Sequence, residues 1–126
     1  MKILVCAPLL LFGAIAHAQD LYRCTTTREC AVEDGAIICY QDVIGRVSHL
    51  FAPHGTADRV LFEDGLVKVF KHNTGADLFI SRDDNPESPL TEVLHFPQDT
   101  EGLRIAFFDA PTAYHGISEA NCESVD

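Results

Sequence analysis

The chain has 126 residues, 47% of them hydrophobic, with 19 acidic against 9 basic side chains and a formal net charge of −10. That length supports one domain with a modest core. The acidic balance argues against nucleic acid and anionic membrane surfaces as partners, because both are bound through basic patches.

The first 18 residues, MKILVCAPLLLFGAIAHA, read as a secretory signal peptide. Lys2 supplies the positive start, Ile3 to Ile15 an uncharged apolar run, and Ala16-His17-Ala18 the small-x-small cleavage pattern. The run is too short for a permanent membrane span. Cys6 has no small residue before it and most of the apolar run after it, which is the wrong setting for a lipid-bearing cysteine. The expected product is a single exported domain over residues 19–126, in the periplasm or secreted, with no stable membrane anchor. It keeps 8 basic and 19 acidic residues, a net charge of −11.

Four cysteines follow the leader: Cys24, Cys30, Cys39 and Cys122. An even count in a small exported domain points to disulfides. No C-x-x-C is present, so zinc-ribbon and thioredoxin-like readings lack their spacing. Four cysteines allow three pairings, and hairpin geometry favours one of them. Asp34-Gly35 is a favoured centre for a two-residue type I′ turn. Folding there sets Glu33 opposite Ala36, Val32 opposite Ile37 and Cys30 opposite Cys39. Counted outward from the turn, the Cys30–Cys39 rung is a non-hydrogen-bonded pair, close enough for a disulfide. Cys24–Cys122 then joins the first strand to the last.

Val47 to Ala52 form the next strand, ended by the turn Pro53-His54-Gly55. A second Glu-Asp-Gly follows in VLFEDGLVKVF, residues 60–70. Centred on Asp64-Gly65, it pairs Phe62 with Val67 and Val60 with Val69, and the expectation is that these four side chains form one buried face. Asn73-Thr74-Gly75 turns the chain into a strand on which Ala76, Leu78 and Ile80 alternate. RDDNPESP, residues 82–89, is a polar loop. Leu90, Glu92, Leu94 and Phe96 then alternate against Thr91, Val93 and His95. After a turn over Pro97 to Gly102, Leu103, Ile105 and Phe107 share a face. Asp109-Ala110-Pro111 closes that strand, and Thr112 to Gly116 start the last one. The fold class is all-β, a small antiparallel meander of about 7–9 strands forming a disulfide-stapled barrel or sandwich.

Catalytic signatures are missing: the chain has no G-x-S-x-G, no H-E-x-x-H and no phosphate-cradling glycine loop, and after the leader no cysteine is left unpaired. Ser48-His49 points to opposite faces of a strand. The pairs Glu33-Asp34 and Glu63-Asp64 serve tight turns. No enzymatic activity and no cofactor are expected. His49, His54, His72, His95 and His115, with Asp83 and Asp84, are the candidate metal ligands, although no ligand spacing unites them. Leu50-Phe51, Phe107-Phe108 and Tyr114 supply aromatic surface for a pocket or a core.

Tyr22-Arg23-Cys24 at the mature start, the all-β middle and the closing Cys122 resemble in layout the small periplasmic inhibitors of C-type lysozyme. The resemblance implies a compact barrel acting through a loop on a cationic enzyme. The S-G-x-x-Y loop of that family is absent, and Cys30 with Cys39 is an added pair, so no inhibitory residue carries over. The expectation is an exported, non-catalytic β-barrel that binds a protein or a small ligand. A metal-binding protein and a lysozyme-inhibitor-like protein are the alternatives.

Overall fold

In the computed structural model, residues 20–73, 78–83, 90–97 and 102–125 are described. Residues 1–18, which the sequence reads as a signal peptide, lie outside them, as do Ala76 and Asp84. The described residues form nine strands: β1 Leu21–Glu33, β2 Ala36–Cys39, β3 Val47–Phe51, β4 Arg59–Glu63, β5 Leu66–His72, β6 Phe79–Asp83, β7 Leu90–His95, β8 Gly102–Asp109 and β9 Tyr114–Ser124. Every pairing is antiparallel, in the order β2-β1-β3-β4-β5-β6-β7-β8-β9, and β9 returns to pair with β1. Because β2 pairs with β1 alone, the closed ring is an eight-stranded barrel with β2 attached outside it. Among the described residues no helix is long and apolar enough to cross a membrane.

β1 makes this arrangement possible. One edge pairs with β9 from Tyr22 to Val32. The other edge is shared, with Leu21–Thr25 taken by β3 and Cys30–Glu33 by β2. A register shift between Thr26 and Arg28 separates the two parts. Such a bulge bends the strand and raises its twist. The segment before β3 is tied down there, with Gly45 N donating to Thr26 O at 2.9 Å and Thr26 N donating to Arg46 O at 2.9 Å.

Both Asp-Gly turns form as expected. Asp34 and Gly35 have φ of 50° and 80°, and Asp64 and Gly65 have 48° and 79°, the left-handed pair that a type I′ turn requires. The rungs are those read from the sequence, Cys30 opposite Cys39 and Phe62 opposite Val67. Both disulfides are present. Cys30–Cys39 closes the hairpin, and Cys24–Cys122 joins directly opposed residues of β1 and β9 across 98 positions. In the chain-entropy account the long bridge contributes about 4–5 kcal/mol and the short one about 2–3 kcal/mol.

The buried face of β4 and β5 is the opposite of the one expected. Phe62, Val67 and Val69 point outward and are 42%, 60% and 43% exposed, while Leu61 and Phe70 are 5% and 0% exposed. Two-residue periodicity defines two faces but not which one turns inward. Here the inner face is Arg59, Leu61, Glu63, Lys68 and Phe70. Its direction is set by β3, where Leu50, fully buried, sits opposite Leu61. β6 is similarly displaced by one residue, because Phe79 is buried while Leu78 and Ile80 are only half-buried. The core comprises Tyr22, Cys24, Leu50, Ala52, Leu61, Phe70, Phe79, Leu94, Phe96, Leu103, Ile105, Ala120 and Cys122.

This assignment of faces predicts opposite outcomes for neighbouring apolar positions. Leu61→Ala is expected to lower unfolding free energy by about 2–5 kcal/mol. Val67→Thr, on the outer face of the next strand, is expected to change it by no more than about 0.5 kcal/mol. Urea denaturation followed by circular dichroism checks both.

Candidate functional site at the open end of the barrel

The two ends of the barrel differ in chemistry. One end, where β1, β4, β6 and β8 begin, is packed solid by the aromatic and aliphatic core. Tyr22 and Phe96 meet there edge to face, with ring centroids 4.9 Å apart. Arg59 seals this end. It is buried, with Nη1 donating to Pro53 O at 2.6 Å and Ala57 O at 3.0 Å, and Nη2 donating to Gly55 O at 3.2 Å. Its guanidinium lies 4.1 Å from the centroid of Phe79. An arginine can be buried in this way because carbonyls take its two terminal nitrogens while an aromatic face covers the guanidinium plane. The connection between β3 and β4 is thereby drawn against the floor.

At the other end a cavity of about 270 Å³ enters the barrel. Its walls combine Thr26, Ser48 and Ser118 hydroxyls, the aliphatic Leu61, Leu103 and Ile105, the aromatic Phe107 and Tyr114, and five charged side chains. The charges are Glu29, Glu63 and Glu92 against Arg46 and Lys68. Lys68 Nζ lies 2.9 Å from Glu92 Oε1 and 3.1 Å from its Oε2. The Glu92 side chain is only 14% exposed and that of Lys68 is 38%. Nearer the rim, Arg46 Nη1 is 3.5 Å from Glu63 Oε2.

Gly116 shapes one wall. A Cβ there would collide with the Cys30 carbonyl oxygen and come within 2.6 Å of Phe107 Cζ and 2.8 Å of Ala31 Cα. Glycine leaves the space that the Phe107 ring fills, so the ring folds over β9 toward β1. The Phe107 and Tyr114 rings are 5.6 Å apart and tilted by 34°. At the rim, Tyr40 OH donates to Glu33 Oε2 at 2.5 Å and lies 3.3 Å from Tyr114 OH. The Glu33 carboxylate first, and Tyr114 second, hold the Tyr40 phenol well above its ordinary pKa.

The histidines read as candidate ligands are scattered over this frame. His49 lies on the outer wall opposite Phe62, and His54 is in the connection under the floor. His72 packs on Phe79, with centroids 5.3 Å apart, and His95 pairs with Arg104 at the floor end. His115 Nδ1 is 2.8 Å from Ala113 O, at the open end. Asp83 ends β6, and its side chain, like all of Asp84, lies outside the described residues. Among the described residues no three histidine, cysteine or carboxylate groups converge as a metal site. The cavity residues Glu29, Lys68 and Glu92 escaped the sequence reading, although one signal was available. Glu92 occupies the inward phase of Leu90-x-Glu92-x-Leu94-x-Phe96, a carboxylate on an otherwise apolar face.

The outer wall of β3, β4 and β5 carries exposed apolar side chains. Phe51, Val60 and Val69 lie in one row, with Phe62 and Val67 in the next. Comparison with protein-family models, curated proteins and solved structures returns no match for this chain.

The Tyr40–Glu33 contact predicts a distinct titration. A raised phenol pKa means that the folded state holds the proton more tightly than the unfolded chain. The associated stability is therefore complete below about pH 10, the ordinary tyrosine value, and is lost as pH rises beyond it. Tyrosinate absorbance near 295 nm is expected to show one late-ionising tyrosine, and Tyr40→Phe is expected to remove that late step.

Proposed function

We propose that the protein is a non-catalytic binding protein of an oxidising, exported compartment, the periplasm or the cell exterior, which takes a small molecule into the open end of its barrel. Two disulfides, one of them exposed on β2 through Cys39, suit such a compartment. The observation that carries the reading is the Lys68–Glu92 pair inside the barrel. An ion pair withdrawn from water gives little or no net stability compared with apolar side chains of the same size. The same hairpin places valines and a phenylalanine on its outer face. Keeping charges inside and hydrocarbon outside is a poor way to stabilise a small barrel, but it gives a hollow that can hold a polar ligand in a fixed orientation. A volume near 270 Å³ lies just under the usual span of small-molecule sites, about 300–1,000 Å³. The ligand is accordingly small.

The test combines stability with binding. Replacing the pair together, Lys68→Met with Glu92→Leu, is expected to leave unfolding free energy unchanged or raise it by roughly 1–2 kcal/mol, because the pair is only partly withdrawn from water. A fragment set of small amines, alcohols and carboxylates, mapped by amide chemical shifts, is expected to perturb Glu29, Lys68, Glu92, Phe107 and Tyr114 in the native chain. Those perturbations should be lost in the double variant. Shifts confined to the outer face around Phe62 and Val67 would contradict the reading and point to a partner docking on that wall.

A further inference from the structure

Resting on that reading of the cavity, we infer that its ligand carries a cationic ammonium group beside an apolar or aromatic body. The charges lining the hollow do not balance. Three carboxylates, from Glu29, Glu63 and Glu92, face two cations, from Arg46 and Lys68. Both cations are already committed, Lys68 to Glu92 and Arg46 to Glu63. Glu29 is left over. Its side chain is half-buried in the cavity wall and has no hydrogen-bond or ion-pair partner among the described residues.

The neighbours of Glu29 fit an ammonium better than a metal ion or a neutral group. Glu29 stands directly opposite Ser118 across the β1–β9 seam, so a carboxylate and a hydroxyl are presented side by side. An ammonium offers three donors, and acceptors are what this wall supplies, since Thr26 adds a second hydroxyl. A carboxylate in such a partly closed site gains more from a cation than from a neutral donor, because charge-assisted hydrogen bonds are about twice as strong. Phe107 and Tyr114 line the same cavity, and aromatic faces attract cations and pack against hydrocarbon equally well. The net charge of −10 over the whole chain draws cations toward the barrel and repels anions. A metal ion would need several convergent hard ligands around it. No such group of three exists among the described residues.

The test uses three probes of nearly equal shape and different charge: 2-phenylethylamine, 2-phenylethanol and 3-phenylpropionate. Each is titrated into the intact oxidised protein at neutral pH and followed by amide chemical shifts and calorimetry. The amine is expected to bind at least about tenfold more tightly than the alcohol, with shifts at Glu29, Ser118 and Phe107, and the carboxylate weakest. Glu29→Gln keeps the shape and removes the charge, and should weaken the amine about tenfold or more while leaving the alcohol unchanged. Equal binding of amine and alcohol, or preference for the carboxylate, overturns the cation assignment and leaves the cavity reading standing. So does a Glu29→Gln protein that binds the amine as before. If none of the three perturbs the cavity residues of the folded protein, both the cation assignment and the small-molecule reading fall.

Discussion

The seam between β1 and β9 is the constraint on which the rest of the structure depends. A meander of short strands has two open edges, and open edges invite pairing with other chains. Closing the ring removes both for its eight strands, leaving a free edge only on the short β2 among the described strands, and it also turns one face of each ring strand into a lumen. β1 is long enough to hold β9 along one edge while dividing its other edge between β3 and β2. Cys24–Cys122 lies within the seam, between residues already opposite each other, so the bridge fastens the closure without redirecting either strand. In a domain this small, with a limited core, such a bridge supplies a sizeable share of the net stability.

Closure also explains the division between floor and mouth. The residues of one barrel half meet across the lumen as Phe70, Phe79, Leu94, Phe96 and Leu50, with Arg59 as a lid held by carbonyls. Large side chains fill that half. Toward the mouth, the same strands present Ser48, Glu63, Lys68, Glu92 and Ser118, and a hollow remains. The stability of the fold therefore resides in the floor and the seam. The mouth can be given over to binding, as rigid scaffolds with a cavity at one end generally are.

Much of the fold was legible in the sequence. Asp34-Gly35 and Asp64-Gly65 announce their turns through residues that tolerate positive φ, and those turns fix register and the Cys30–Cys39 rung. Leu103, Ile105 and Phe107, like Leu94 and Phe96, face inward as their alternation suggests. The facing of the second hairpin was not legible. Val60, Phe62, Val67 and Val69 carry the greater apolar content, yet the alternative face holds Leu61 and Phe70, which complete a core built from strands distant in sequence. Local content lost to tertiary packing at that point. The site was hidden for the same reason, because Lys68 and Glu29 become lumen residues only once the hairpin is turned and β1 is bulged. Departures from simple patterning concentrate where a protein binds something, and here the inverted hairpin forms one wall of the cavity.

The inverted facing of β4 and β5 is therefore the claim on which the cavity's polar lining and the proposal of a bound ligand depend. It is tested most directly by methyl NMR of the oxidised protein with a soluble paramagnetic relaxation agent. The methyl signals of Val67 and Val69 are expected to broaden strongly, while those of Leu50, Leu61 and Leu94 stay sharp. Protected Val67 and Val69 methyls together with a broadened Leu61 would mean that the hairpin faces the other way, and would contradict the polar lumen and the binding site built on it.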